Sequence, residues 1–540
     1  MGGVILNEIR VLPFQGKPTL ALVATQNLTV AGASLFGQNT PPQGIFYLRQ
    51  NPETRDVFVI GDNLNPDGTD RVAVQPRVFY PGAWSLSTAY SHTVEWKSGA
   101  TTRLSLSVSG REQIATVIGD FEAWAAPTGS VESIGVENAG TDWWTPQLGA
   151  PVKFDTVTSL PNGGRNHVIG TLIKSNRVRS LYPVVAGGLD HPRGLAFDRG
   201  GSLWITEAGK GGAGPCVGSQ NGGEQCFGRS GRVSRLREGR RETVIGDLGS
   251  LATPLLDQAT GPNGIAFRDG EPYVVIGNAG SKQATEELGE FQKQTGILVS
   301  LQRDDNENDD ADVKTAALLS RFEFIHRPDN LFDANGQLRA ESNPFGVASM
   351  GEDVYVTDAA GHTALKVLRG GGISAIAVLP FQSINKPAFP GGPAPVLVES
   401  VPTGIIAAPD GKGLLVADYT GFPFFPGTSR IWRVRQNHEP QVYAAGFTNL
   451  IGISAAQDGG VYALEMTSKG FLSGDPAGAV IHVAPSGERS VLACSGLVYP
   501  AGIATSPEGD VYVSNYGVIP GQGEIVRISA SPDDDSDGKR

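Results

Sequence analysis

Five oxygen-bearing side chains, Glu207, Asp358, Asp418, Glu465 and Asn515, stand at the ends of closely similar apolar runs spread over the last two thirds of the chain. Brought together, carboxylates and an amide make the oxygen-rich lining that a hard cation such as Ca²⁺ prefers, and a bound cation can polarise an ester carbonyl. The competing use is structural: polar residues at strand ends accept main-chain N–H groups. Recurrence in nearly every copy favours the structural use, since a catalytic site calls for asymmetry. His191, Arg193, Asn263, Asn343 and Asn449 stand just before the glycine that opens each copy and are the candidate ligand contacts.

Other chemistry is thinly represented. There is no GxSxG or HExxH motif, and the seven histidines, at 92, 167, 191, 326, 362, 438 and 482, are scattered, which removes the sequence support for nucleophilic hydrolysis and zinc chemistry. GKGGAG, 209–214, has dinucleotide-loop spacing, but Pro215 follows where a helix should open. The acidic run RDDNENDDAD, 303–312, lacks the spacing and final Glu of a calcium loop and reads as solvated. Cys216 and Cys226 share one Gly-rich stretch in which a disulfide would staple a loop that has no core of its own. Cys494, in SVLACSGL, is expected to be a small buried residue.

The elements that must position these residues are written in a repeat. HPRGLAFDRGGSLWITEAG, from His191, returns in shorter form from Gly261, Asn343, Val401, Asn449 and Tyr499. Each copy is an apolar run, a turn rich in Gly or Asp and a second apolar run, which spells a β-hairpin. A glycine opens every copy, at 194, 264, 346, 404, 452 and 502, where it suits strands converging on a narrow axis. The shorter intervals, 48, 50 and 58 residues, fit a four-stranded propeller blade. If 180–188 pairs with GEIVRIS, 523–529, both ends of the domain close one ring and no sheet edge is left open.

Composition agrees with an all-β chain. Seventy-two glycines and 36 prolines accompany 40% hydrophobic residues, too apolar for disorder. A net charge of −12 argues against nucleic acid or an anionic membrane as the main partner. No run of 18 apolar residues is present, so no transmembrane helix is expected, and the first residues, MGGVILNEIRVLPFQGK, do not spell an export signal.

Residues 1–165 lack the repeat but carry strand signals, ALVATQNLTV, GIFYLRQ, DVFVIGD, TTRLSLSVSG and QIATVIGDFEAW. They predict a β-sandwich-like domain that docks the chain to an assembly or makes a homo-oligomer. A linker over 166–179, a six-bladed β-propeller over 180–530 and a disordered acidic tail over 531–540 complete the expected organisation. Trp143 and Trp144 read first as packing residues. Two insertions stretch the first intervals, 209–228 and 282–339, and in the second ATEELGEFQK and ADVKTAALLSRFEF have helical composition. GFPFFPG, 421–427, either faces a ligand or packs over a blade edge.

From about Val184 to Ile528 the chain resembles the ScyD/ScyE family of NHL-type propellers, named from a cyanobacterial pigment pathway. HPRGLAFDRGGSLWITEAGKGGAGPC, ATGPNGIAF, ESNPFGVASM, VTDAAGHTALKV, ADYTGFPFFPGTSRIWRV, YAAGFTNLIGI and SNYGVIPGQGEIVRI carry the resemblance. It implies a secreted or extracytoplasmic propeller whose activity is largely undefined, although family members usually begin with an export signal. The family's name alone suggests an oxidative or coupling role in pigment-like small-molecule metabolism. The ring of strand-end acids is also similar to the calcium-dependent lactonases of gluconolactonase and paraoxonase type, with Glu207, Asp358, Asp418 and Asn515 as ligands. The sequence therefore predicts a binding or scaffold protein that presents a small-molecule or protein ligand site at the propeller mouth, with a Ca²⁺-dependent lactonase as the alternative.

Overall fold

Every copy of the repeat becomes two strands of an antiparallel sheet, four-stranded in five copies and six-stranded in the first, where Cys216–Gly218 and Ala259–Thr260 add to four blade strands. The computed structural model describes strands within 4–80 and residues 88–530, apart from 117, 133–134, 146–149, 173–179, 220–223, 254–257, 304–310, 333–335, 390 and 519–520. Most of the acidic run and the acidic tail lie outside the described residues. The chain divides into two units, Gly2–Arg179 and Ser180–Arg540.

In the second unit, blade 1 holds Pro192–Phe197, Leu203–Glu207, Glu224–Arg237 and Arg240–Ala252. Blade 2 holds Pro262–Arg268, Glu271–Ile276, Ile297–Arg303 and Ala311–Ala317, and blade 3 holds Pro344–Met350, Asp353–Asp358, Thr363–Val367 and Ile373–Val378. Blade 4 holds Pro402–Ala407, Leu414–Asp418, Ser429–Val434 and Gln441–Phe447; blade 5 holds Leu450–Ala455, Val461–Glu465, Ala479–Val483 and Arg489–Ala493. Blade 6 joins Gly502–Thr505, Val511–Asn515 and Gly523–Ile528 to Val184–Leu189, so strands from opposite ends of the unit complete one sheet. The first strand of each blade meets the first strand of the next, and that of blade 6 meets that of blade 1. The ring is a closed six-bladed β-propeller.

Closure depends on the glycines. A Cβ on Gly194 would stand 3.0 Å from the Cα of Gly264, one on Gly264 would stand 2.8 Å from the nitrogen of Val347, and one on Gly404 would stand 2.9 Å from the Cα of Gly452. Gly346 faces the carbonyl of Thr403 and Gly502 faces that of Arg193 in the same way. Hydroxyls at the end of the second strand tighten the seam: Thr206, Thr357 and Ser514 donate to the carbonyls of Asn263, Thr403 and Arg193 in the next blade. Between the sheets lie apolar clusters such as Val275, Leu298, Val347, Val356 and Leu365, which a lone hairpin could not bury.

Two readings of the insertions need correction. Ile297–Arg303 and Ala311–Ala317 are the outer strands of blade 2. Among the described residues of 282–339, only Lys282–Glu287 (α1) and Leu319–His326 (α2) are α-helical. The Ala-rich spelling of 311–317 favours helix locally, but pairing with Ile297–Arg303 and burial of Leu298 and Ala317 override it. Cys494 is exposed rather than buried, at the end of an outermost strand with no sheet beyond it. Cys216 and Cys226 form a disulfide, directly opposite each other on paired strands.

The first unit contains two antiparallel sheets, one of five strands within 4–80 and one of seven strands between Ala89 and Thr171. Strand pairing defines the two sheets; a sandwich packing of them is not part of that description. Arg165–Thr171 pairs with Ala150–Ser159, so this sheet extends into the span read as linker. Burial in Thr101–Ser107 alternates as its sequence does. Trp144 is buried, while Trp143 donates to Glu112 and lies under Lys153.

Gly404→Ala is expected to lower unfolding stability by about 2 to 3 kcal/mol, because the methyl meets main chain that cannot yield. Gly246→Ala, with open space at its Cβ, is expected to stay within about 0.5 kcal/mol of the parent. Chemical denaturation followed by circular dichroism measures both.

Candidate functional site

Strand direction sets the geometry of the propeller's two ends. Because neighbouring strands are antiparallel, the turns between first and second strands leave one end of every blade, and they are short: 198–202, 269–270, 351–352, 408–413, 456–460 and 506–510. The links between second and third strands and between blades leave the other end, and they include the long stretches 318–343, 379–401, 419–428 and 466–478. This second end is the mouth.

The predicted metal ligands stand at the mouth, but each is committed to its own blade. Glu207 accepts the N–H of Asp190, Asp418 those of Val401 and Thr420, Glu465 that of Thr448, and Asn515 that of Val498. Asp358 accepts the N–H groups of Asn343 and Gly361 and the hydroxyl of Ser342. Every acceptor thus latches the chain segment leading into its blade onto the end of the second strand. Burial raises the carboxyls of Glu207, Asp358 and Asp418, and lifts Glu465 to about 7. Among the described residues no group of three or more His, Cys, Asp or Glu side chains is placed to hold a metal ion. As placed, these residues do not fit a channel Ca²⁺: no three of the acids gather at one point, and each spends at least one acceptor site on the backbone.

The predicted ligand contacts divide differently. The Nδ1 of His191, a fully buried residue, lies 2.7 Å from the carbonyl of Gly209. Asn263 donates to the carbonyl of Pro344, Asn343 accepts the N–H of Asn278, and Asn449 accepts from Thr467 and Phe471. His191, Asn263 and Asn343 are consumed by the fold, whereas the buried Nδ2 of Asn449 has no hydrogen-bond partner among the described residues. Arg193 is half-buried and donates to two main-chain carbonyls, Gly517 and Ala259, the latter at 3.0 Å. Burial draws its guanidinium down to about 10, so it stays charged at neutral pH.

The mouth end also carries apolar side chains. Phe345, Tyr419 and Met466, from blades 3, 4 and 5, all pack against the cluster containing Ile451, Ile503 and Val513. The Tyr419 hydroxyl lies 3.8 Å from the Met466 sulfur, and burial, then Tyr499, pushes that hydroxyl upward. In the aromatic loop Phe424 touches Tyr419, Phe422 and Phe471, while Phe422 is 61% exposed. One face of that loop therefore packs and the other meets solvent.

Sequence reading missed a second buried group. Glu323 of α2 is brought beside Asp358, with both carboxyls bordering Gly361: a Cβ there would stand 2.9 Å from Glu323 Cδ and 3.2 Å from Asp358 Cγ. Thr363 donates to Glu323. Burial and then the charge of Asp358 push Glu323 up to about 9. Nearby, His362 pairs with Asp329 at 3.0 Å and Glu399 at 3.6 Å, and Arg339 pairs with Glu399 and Glu341. Burial lowers His362, but its two acids more than offset it, and the imidazole is raised overall. The network fastens the α2 insertion to blade 3.

No protein-family model matches the chain, and no curated protein does. Among solved structures it is similar to a putative oxidoreductase (glucose dehydrogenase) from Thermus thermophilus, with 15% identity over 65% of this chain and 100% of that one, and a TM-score of 0.38. It is also similar to a gluconolactonase from Xanthomonas campestris, with 10% identity over 64% of this chain and 89% of that one, and a TM-score of 0.37. A calcium-binding regucalcin from Agrobacterium tumefaciens shows 11% identity over 65% of this chain and 94% of that one, with a TM-score of 0.36.

Glu323 holds its proton in the folded chain at a pH where the unfolded chain has lost it, so its contribution to stability falls as pH rises from about 5 to about 9. Glu323→Gln, a permanent mimic of the protonated acid, is expected to flatten that decline by on the order of 1 kcal/mol or more. Urea midpoints measured across the pH series give the slope for both proteins.

Proposed function

We propose that this chain is a binding protein whose propeller offers its mouth to a small-molecule or protein ligand. The observation that carries the reading is the asymmetry of the ring. Tight turns close one end, while the long links and half-buried side chains from several blades gather at the other. Loops held by a rigid scaffold are where binding surfaces form. The first unit, on this reading, docks the chain to an assembly or to another copy of itself. The Cys216–Cys226 bridge supports the extracytoplasmic placement that the ScyD/ScyE resemblance implies, because disulfides persist in oxidising compartments.

A second reading is hydrolysis of a lactone at the same mouth. Its motivation is Glu323, in the 318–343 link at the mouth end, a carboxyl that burial and Asp358 raise. The gluconolactonase named above sets the substrate for its test and nothing more.

A library screen by thermal shift, followed by hydrogen exchange with any hit, tests the first reading. Ligand-induced protection is expected at 419–428, 466–478 and 496–501; protection confined to 198–202, 408–413 and 506–510 would contradict it. Gluconolactone hydrolysis, assayed with and without chelator, tests the second. Activity that survives chelation and falls at least tenfold in Glu323→Gln would replace binding as the function.

A further inference from the structure

The residue just before each ring glycine occupies an equivalent place on the innermost strand: Arg193, Asn263, Phe345, Thr403, Ile451 and Ala501. In blades 1 to 4 it stands where the first strand slips register against the second. Only one of the six is charged. Asn263 and Thr403 spend their side chains on carbonyls of the next blade, and Ile451 and Ala501 are buried.

Arg193 is held differently. Its Nη1 donates to the carbonyl of Gly517, in the mouth link of blade 6, and its Nη2 to that of Ala259, in the segment leading into blade 2. Two fixed carbonyls orient the guanidinium plane but bring no negative charge. The acids at this corner are already taken: Asp190 pairs with Arg232 at 2.7 Å and Lys210 at 3.4 Å, and Glu207 lies 3.4 Å from Arg232. Among the described residues no carboxylate lies within ion-pair distance of Arg193. A guanidinium has five N–H groups, and main-chain carbonyls take two of them.

The surroundings state what else the ligand must carry. Tyr499 accepts the N–H of Gly517 on its carbonyl, 3.0 Å away, so it shares with Arg193 the residue that anchors the guanidinium. Tyr499, Tyr419, Met466 and Phe345 are all half-buried, presenting rings and a thioether rather than charges.

We propose that Arg193 anchors a site for a small monoanionic carboxylate whose ring-bearing, apolar body lies against Phe345, Tyr419, Met466 and Tyr499. A carboxylate matches the planar fork of the free N–H groups and neutralises one charge with one charge. A phosphate dianion would bring a second charge into an apolar lining that has nothing to meet it. The proposal rests on the mouth being the binding face and adds the chemical class of its ligand.

Isothermal titration of the full chain with benzoate, acetate and inorganic phosphate, with chloride adjusted to constant ionic strength, tests it. Saturable benzoate binding at least tenfold tighter than acetate is expected, with no phosphate response beyond that of chloride. Arg193→Gln is expected to lose at least tenfold in benzoate affinity, and Arg193→Lys, which keeps the charge without the fork, to lose less. Should Arg193→Gln fail to fold, the Lys variant and the order of the three anions decide. Equal benzoate binding by parent and Gln variant, phosphate binding tighter than benzoate, or no saturable response would overturn the proposal. A neutral ligand that protects the mouth equally in parent and Gln variant would also overturn it while keeping the mouth as the binding face. Benzoate-induced protection only at the tight-turn end would sink both readings.

Discussion

The propeller depends on how closely six glycines let six main chains approach one axis. At each of these positions a side chain would meet backbone of the neighbouring blade or a side chain packed on it, so the innermost strands pack without intervening side chains. Hydroxyls of Thr206, Thr357 and Ser514 then reach across three of the seams. Beside these glycines the side chains differ in fate: Ile451 and Ala501 are buried, Asn263 and Thr403 bond the next blade, and Arg193 and Phe345 are half-buried. The chemistry of this protein is therefore that of the residues flanking its tightest contacts.

The polar strand ends illustrate how a repeat can imitate a metal site. Five acceptors stand in a ring, the pattern a cation would want, yet each is oriented by the N–H of the segment entering its own blade. A buried carboxylate without such donors would be costly, and the same donors leave it little to offer a cation. Glu323 departs from this scheme. It is set against Asp358, which is already satisfied, and keeps its proton instead of finding a counter-charge.

Much of this was legible in the chain. The glycine spacing, the hairpin spelling and the match between 180–188 and 523–529 define the ring and its closure, because each rests on local sequence recurring at regular intervals. The outer strands of blade 2 were hidden: Ala311–Ala317 reads as helix until a partner strand exists to bury it. The Glu323, Asp358, His362 and Glu399 network was hidden for another reason. Its members are drawn from an insertion, a strand end and a distant link, and no spacing rule joins them. Arg193 was visible as a residue, but what distinguishes it is which nearby acids already have partners, and that emerges only from the folded arrangement.

The strand-end acids serve the backbone, while Arg193, bound to two carbonyls, has no carboxylate within ion-pair distance among the described residues. A crystal grown with both Ca²⁺ and benzoate, read by anomalous scattering together with ordinary density, tests that division in one measurement. Planar density against the Arg193 guanidinium and no anomalous peak among Glu207, Asp358, Asp418 and Glu465 is the predicted result. An anomalous peak about 2.3–2.6 Å from two or more of those carboxylates, with nothing at Arg193, would contradict it.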